Sequence, residues 1–72
     1  MGIRILQIGA GIRGQHWAGF VKNHPDVECI ALVEPDSASR DKARTIIGDG
    51  ARYFADLDEA LRSVKPDAAL IV

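Results

Sequence analysis

The chain has 72 residues, a formal net charge of −1, 47% hydrophobic and 26% charged residues, and one cysteine. A nearly neutral chain has no electrostatic basis for binding nucleic acid or an anionic membrane, and a single cysteine excludes an internal disulfide. No apolar run reaches the roughly 18 residues of a membrane-spanning helix, so we expect a soluble domain of the cytoplasm.

Short apolar runs alternate with amphipathic stretches along the whole chain. Unbroken apolar runs predict strands covered on both faces, and apolar residues three and four apart predict helices. In chain order, the patterns predict a strand over 3–8, a helix over 14–23, a strand over 27–33, a helix between caps at 36–37 and Gly48, a strand over 52–54, a helix between 56 and 65, and a strand over 68–72. The order β-α-β-α-β-α-β implies right-handed crossovers and a parallel sheet, the first half of a doubly wound Rossmann-type α/β domain.

The helices have predicted ends and buried faces. Asp36 or Ser37 can cap the second helix, and Asp56 followed by Glu59 has the spacing of a capping box for the third. The predicted buried residues are Trp17, Phe20 and Val21 in the first helix, Ala43, Ile46 and Ile47 in the second, and Leu57, Ala60, Leu61 and Val64 in the third. Trp17 and Phe20 are therefore expected in the core and not at a ligand.

A glycine motif, Gly9-x-Gly11-x-x-Gly14, joins the first strand to the first helix. Gly9 permits the tight turn, Gly11 allows the backbone to approach a pyrophosphate, and Gly14 allows the helix to pack closely on the strand. The free amides from Ile12 to Gly14 and the helix dipole favour a negative charge at this point. In this context the motif predicts a dinucleotide-binding site.

An acidic residue, Glu34, ends the second strand 20 residues after Gly14. This is the distance at which a carboxylate binds the ribose hydroxyls of NAD, and the same charge would repel the 2′-phosphate of NADP. The alternative is that Glu34 is only a solvated residue at a strand end. Arg13 could lie over the pyrophosphate or reach solvent, and Arg40 could stack on adenine, although a solvated position is favoured for Arg40.

The other reactive side chains are assigned no chemistry. His16 and His24 are predicted at the surface, Cys29 is predicted to be an inert buried thiol, and Asp56 and Glu59 are predicted to be helix-start residues. The sequence has no His/Cys cluster at metal-ligand spacing. It therefore predicts neither a metal site nor a catalytic residue.

Four segments together resemble the N-terminal domain of the glucose–fructose oxidoreductase / inositol 2-dehydrogenase / MocA family. They are residues 5–14 with His16 behind them, 31–36, 53–61 and 65–72. The last two discriminate best, because dinucleotide binding in general does not require an aromatic pair or a Lys-Pro-Asp before a strand. The resemblance implies a two-domain, homo-oligomeric oxidoreductase of several hundred residues. Such an enzyme transfers hydride between a nicotinamide and a sugar, cyclitol or related alcohol.

Family members usually have Asp where this chain has Glu34, and the family's catalytic lysine lies beyond Val72. Residues 1–72 are therefore predicted to be the first part of a Rossmann domain, without the rest of that domain or the C-terminal α/β substrate domain. A non-catalytic NAD-sensing regulator would carry the same residues. An FAD-binding oxidoreductase is disfavoured because a regular helix follows Glu34 so closely, and a methyltransferase because its glycine motif is normally more compact.

Overall fold

A four-stranded parallel sheet with helical connections organises the chain. The computed structural model describes residues 2–72. Its elements are β1 (Ile3–Ile8), α1 (Ile12–Asn23), β2 (Val27–Val33), α2 (Ser37–Ile47), β3 (Arg52–Phe54), α3 (Leu57–Ser63) and β4 (Ala68–Ile71). The strand order is β3-β2-β1-β4, and every neighbouring pair is parallel. The predicted fold class and element order are confirmed; α1 begins two residues earlier than predicted, and β4 ends one residue earlier.

The central strand β1 contributes to an apolar cluster on each face of the sheet, because successive side chains of a strand point to opposite faces. Ile5 lies in one cluster with Ala18 and Val21 of α1. Leu6 is fully buried in the second cluster, which includes Phe54 of β3 and Ala60 of α3. The two clusters fix the sheet between α1 and α2 on one side and α3 on the other.

One irregular position in β2 changes which of its residues face each cluster. The register against β1 passes from Cys29 directly to Ala31, so Ile30 is an additional residue. Cys29 and Leu32 lie in the cluster beneath α1 and α2, whereas Ala31 and Val33 lie in the cluster beneath α3. A bulge of this kind reverses the alternation of side chains along the rest of the strand.

The predicted helix caps are present. Asp36 precedes α2, and its Oδ2 accepts a hydrogen bond from the Ser39 backbone N–H at 2.9 Å. The backbone and side-chain hydrogen bonds of Ser39 lower the pKa of the Asp36 carboxyl below its ordinary 3.8. Gly48 ends α2 with φ of 97°, a conformation that favours glycine. Asp56 caps α3 by accepting from the Glu59 N–H at 3.3 Å.

The prediction that Trp17 and Phe20 lie in the core is wrong. Their exposed fractions are 44% and 69%, and the two rings form an edge-to-face pair with centroids 5.8 Å apart. Helix α1 instead turns Gly14, Ala18 and Val21 towards the sheet. Gly14 and Ala18 allow the helix backbone to approach the strands closely, and Trp17 and Phe20 line an apolar groove of about 400 Å³.

Two further predicted buried regions are exposed within residues 2–72. Of the predicted buried face of α3, only Ala60 is fully covered, whereas Leu57 and Leu61 are 37% and 53% exposed. Strand β4 lies at one edge of the described sheet, and its faces are not covered as its apolar run predicted, since Ala68, Ala69 and Ile71 are exposed. Ile71 is 76% exposed. None of the described helices is long and apolar enough to cross a membrane.

Candidate dinucleotide-binding site

The predicted site residues meet at the carboxyl ends of β1 and β2. The glycine loop follows Ile8, helix α1 begins at Ile12, and Glu34 follows Val33. Because β1 and β2 are parallel neighbours, these ends lie at one edge of the sheet. In open α/β sheets, ligands bind beyond this edge.

The three glycines have different backbone requirements. Gly9 has φ of 107°, and a Cβ there would lie 2.8 Å from the Val72 carbonyl oxygen. A Cβ on Gly14 would lie only 2.5 Å from the Gly9 carbonyl oxygen, so the first turn of α1 and the loop need a residue without a side chain. A Cβ on Gly11 would meet nothing within 4 Å. Gly11 therefore borders open space on the side from which a ligand can approach.

The first turn of α1 has amide groups without helical acceptors. The Gln15 N–H donates to the Gly11 carbonyl at 2.8 Å, and the amides of Ile12, Arg13 and Gly14 precede this bond. Gly11 provides no side-chain cap, and the first turn has no acidic residue. The positive end of the helix dipole is therefore available to an anion. The side chains of Ile12 and Arg13 are exposed, which leaves Arg13 able to reach either a ligand or solvent.

The Glu34 carboxylate is bound on both oxygens. Oε1 accepts a hydrogen bond from the Ala10 N–H at 2.8 Å, and Oε2 accepts from the Asp36 N–H at 2.9 Å. Each carboxylate oxygen has a further lone pair, so both can still accept from a hydroxyl group. The carboxylate thus joins the glycine loop to the start of α2 and keeps its capacity to bind a diol.

Arg40 does not occupy the solvated position that the sequence analysis favours. It is half-buried, and its Nη1 donates to the Glu34 backbone carbonyl at 2.8 Å. The guanidinium group therefore connects the first turn of α2 to the residue that follows β2. This contact supports the position of Glu34 and does not leave Arg40 as a purely solvated side chain.

Gln7 is a site-adjacent residue that the sequence analysis missed. Its side chain is fully buried, and its Nε2 donates to the Gly9 carbonyl at 2.9 Å and to the Gly14 carbonyl at 2.7 Å. Its Oε1 is buried without a hydrogen-bond partner within residues 2–72. An unsatisfied buried acceptor costs about 1–3 kcal/mol. The available signal was a polar residue between Leu6 and Ile8 in an otherwise apolar strand.

Of the remaining reactive side chains, the two histidines are exposed and the cysteine is buried. His16 and His24 are exposed, as predicted. Cys29 is buried, its Sγ donates to the Ala31 carbonyl at 3.3 Å, and burial raises the pKa of its thiol above 9.0. Among residues 2–72, no group of three or more His, Cys, Asp or Glu side chains is arranged to hold a metal ion.

Parallel strands joined by helices, in the order β3-β2-β1-β4, and a glycine loop after the first strand define a Rossmann-type α/β domain. No protein-family model and no curated protein matches the chain. A solved scyllo-inositol dehydrogenase from Lactobacillus casei, with bound NAD(H) and scyllo-inositol, is 25% identical with a TM-score of 0.87. The alignment covers 100% of this chain and 21% of that one.

Two further solved structures share the fold. The myo-inositol dehydrogenase from Lactobacillus casei, in complex with NAD(H) and myo-inositol, is 22% identical, with a TM-score of 0.87 and coverage of 100% and 22%. The myo-inositol 2-dehydrogenase from Lactobacillus plantarum is 23% identical, with a TM-score of 0.83 and coverage of 100% and 21%. The predicted resemblance to the glucose–fructose oxidoreductase / inositol 2-dehydrogenase / MocA family is thus confirmed. The chain spans about a fifth of the length of these dehydrogenases.

Proposed function

We propose that this chain is the NAD-binding part of an oxidoreductase that transfers hydride between a nicotinamide and a sugar, cyclitol or related alcohol. The observation that carries the proposal is the Glu34 carboxylate, held 2.8 Å from the Ala10 amide beside the open first turn of α1. The Lactobacillus casei scyllo-inositol dehydrogenase, which has NAD(H) bound, supports the choice of cofactor.

The pyrophosphate of the cofactor would lie at the start of α1. Gly11 has no side chain to obstruct it, and the amides of Ile12, Arg13 and Gly14 precede the first helical hydrogen bond. The helix dipole adds a favourable interaction with the negative charge, and the exposed guanidinium of Arg13 can add another. Gly9, Gly11, Ile12, Arg13, Gly14 and Glu34 together are the proposed cofactor-binding residues.

Glu34 would select NAD over NADP. Its two carboxylate oxygens keep free lone pairs, which can accept hydrogen bonds from the 2′- and 3′-hydroxyls of the adenine ribose. A 2′-phosphate would replace one donor with a second negative charge at the same position. Like charges at this distance repel, and the carboxylate cannot move away without losing its bonds to Ala10 and Asp36.

Bound nicotinamide supplies hydride transfer, and the residues of this chain bind and orient the dinucleotide. We place residues 1–72 at the start of a Rossmann domain, followed in the whole protein by the rest of that domain and a C-terminal α/β substrate domain. By the family resemblance, we expect the catalytic lysine in that later region. A homo-oligomeric cytoplasmic enzyme with a polyol or sugar substrate is the expected whole protein.

Cofactor titrations of the native protein test this proposal. We expect NADH to bind with a lower dissociation constant than NADPH or FAD, and NAD⁺ to be reduced in the presence of a cyclitol or sugar. Tighter binding of NADPH would contradict the assignment of Glu34, and tight binding of FAD would favour the flavoprotein alternative. NADH binding without turnover on any polyol would favour an NAD-sensing regulator.

A further inference from the structure

We propose that Gln7 is a positioning residue that holds the glycine loop in its pyrophosphate-binding shape. The inference rests on the proposed dinucleotide-binding function. Gln7 lies in the central strand beneath the loop, and its side chain has no exposed surface. One amide nitrogen donates to two carbonyls that the loop separates, those of Gly9 and Gly14.

The two acceptors lie on opposite sides of the turn. Gly9 leaves β1, and Gly14 lies in the first turn of α1. The Gln7 Nε2 has two hydrogens, and the bonds of 2.9 Å and 2.7 Å can use one each. The side chain therefore sets the separation between the entry of the loop and the helix that presents the phosphate-binding amides.

The close approach at Gly14 makes this bridge possible. A Cβ on Gly14 would lie 3.5 Å from the Gln7 Nε2 and 2.5 Å from the Gly9 carbonyl oxygen. The absent side chain thus brings both carbonyls within reach of one amide group. Methionine or leucine at position 7 would fill similar space but donate to neither carbonyl.

The two hydrogen bonds of Gln7 should contribute most to the binding of a ligand that contacts the loop. Amides bind a pyrophosphate best when they already point to one position, because no ordering is then needed on binding. Adenosine has no phosphate and would use the Glu34 side of the site. Loss of the bridge should therefore weaken NADH and ADP-ribose selectively, whereas a general loss of packing would weaken all three ligands together.

The experiment compares dissociation constants of NADH, ADP-ribose and adenosine for the native protein and for Gln7→Met. Leu32→Met is the matched control, because Leu32 is fully buried and pairs with Gln7 across β1 and β2. We expect Gln7→Met to raise the dissociation constants of NADH and ADP-ribose about tenfold, which corresponds to a loop that is in its binding-competent shape about a tenth of the time once the two hydrogen bonds are lost. We expect adenosine binding to change less than about twofold, and Leu32→Met to change no ligand by more than about twofold.

Gln7→Leu provides a second apolar variant if Gln7→Met does not fold, with thermal unfolding as the measure of folding. NADH binding within about twofold of wild type in a folded Gln7 variant would overturn the inference while leaving the proposed function intact. Equal weakening of NADH and adenosine would also overturn it, since that result indicates general packing. Failure of the wild-type protein to bind NADH would overturn both proposals.

Discussion

The Ala10 backbone N–H donates to the Glu34 side-chain Oε1 at 2.8 Å, across 24 residues of sequence. This bond joins the glycine loop after β1 to the residue that follows β2. The carboxylate that would bind the ribose therefore also fixes the loop that would bind the pyrophosphate. Because Asp36 donates to the other oxygen, the carboxylate is oriented before any ligand is present.

Glu34→Gln should weaken NADH binding about tenfold and reduce the preference for NADH over NADPH. The amide has one acceptor oxygen where the carboxylate has two, so either Ala10 or Asp36 loses its acceptor, and the charge that repels a 2′-phosphate is removed. Fluorescence titration with both cofactors measures the effect. Glu28→Gln is the control, because Glu28 is an exposed residue near the other end of β2. Unchanged affinity and preference in Glu34→Gln would contradict the assigned role.

Gly11→Ala should fold normally but bind NADH more weakly. Gly11 has φ of −67° and ψ of −166°, which alanine can adopt, and its added Cβ would meet no atom of the protein within 4 Å. The methyl group would instead occupy the space proposed for the pyrophosphate. Gly19→Ala is the matched control within α1, where a Cβ also meets nothing. It should raise the free energy of unfolding by about 0.5–1 kcal/mol without changing NADH affinity. Calorimetry measures the unfolding of both variants, and fluorescence titration measures their NADH affinity. Equal NADH affinities of the two variants would contradict the prediction.

Cys29 should be unreactive towards thiol reagents in the native protein at pH 8 and reactive after unfolding. Burial raises the pKa of this thiol above 9.0, so the folded state keeps its proton at a pH where the unfolded state loses it. This group's contribution to stability is complete below the unfolded pKa and is lost as pH rises through the folded pKa. Denaturant unfolding of wild type and Cys29→Ala from pH 7 to 10 measures it. Above about pH 9, the free energy of unfolding of wild type should fall relative to that of Cys29→Ala. A difference between the two proteins that stays constant with pH would contradict the raised pKa of Cys29.

Leu32→Ala should lower the free energy of unfolding by about 2–5 kcal/mol, because Leu32 is fully buried in the cluster beneath α1 and α2. Leu61→Ala removes the same atoms from a side chain that is 53% exposed on α3. Its effect should stay within about 0.5 kcal/mol. Denaturant unfolding of the two variants provides the comparison. Equal losses would show that Leu61 is covered in the native protein.

The sequence pattern predicts the parallel fold and the position of the glycine loop because both depend on local order. Gly9, the caps at Asp36 and Asp56, and the strand over 27–33 need only neighbouring residues to be recognised. The bulge at Ile30 could not be predicted, because an apolar run without alternation contains no signal of the face to which each side chain points.

Burial on α1 was mispredicted for a different reason. The apolar spacing of Trp17, Phe20 and Val21 was a correct helical signal, but small residues compete for the same sheet surface. Gly14 and Ala18 allow a closer approach than the aromatic rings could, and this choice depends on the tertiary fit. The contacts of Gln7 and Arg40 with loop carbonyls likewise depend on three-dimensional proximity, which residue type alone does not reveal.

The exchange of hydrogen bonds between Arg4 and Asp67 has a consequence for synthesis of the chain. The Arg4 N–H donates to the Asp67 side chain, and the Asp67 N–H donates to the Arg4 carbonyl, across 63 residues. Strand β1 emerges from the ribosome before β2 and β4, yet it lies between them. One of its edges therefore has no strand partner until residues 68–71 have been made. During that interval β1 presents unpaired backbone groups to any other nascent strand nearby.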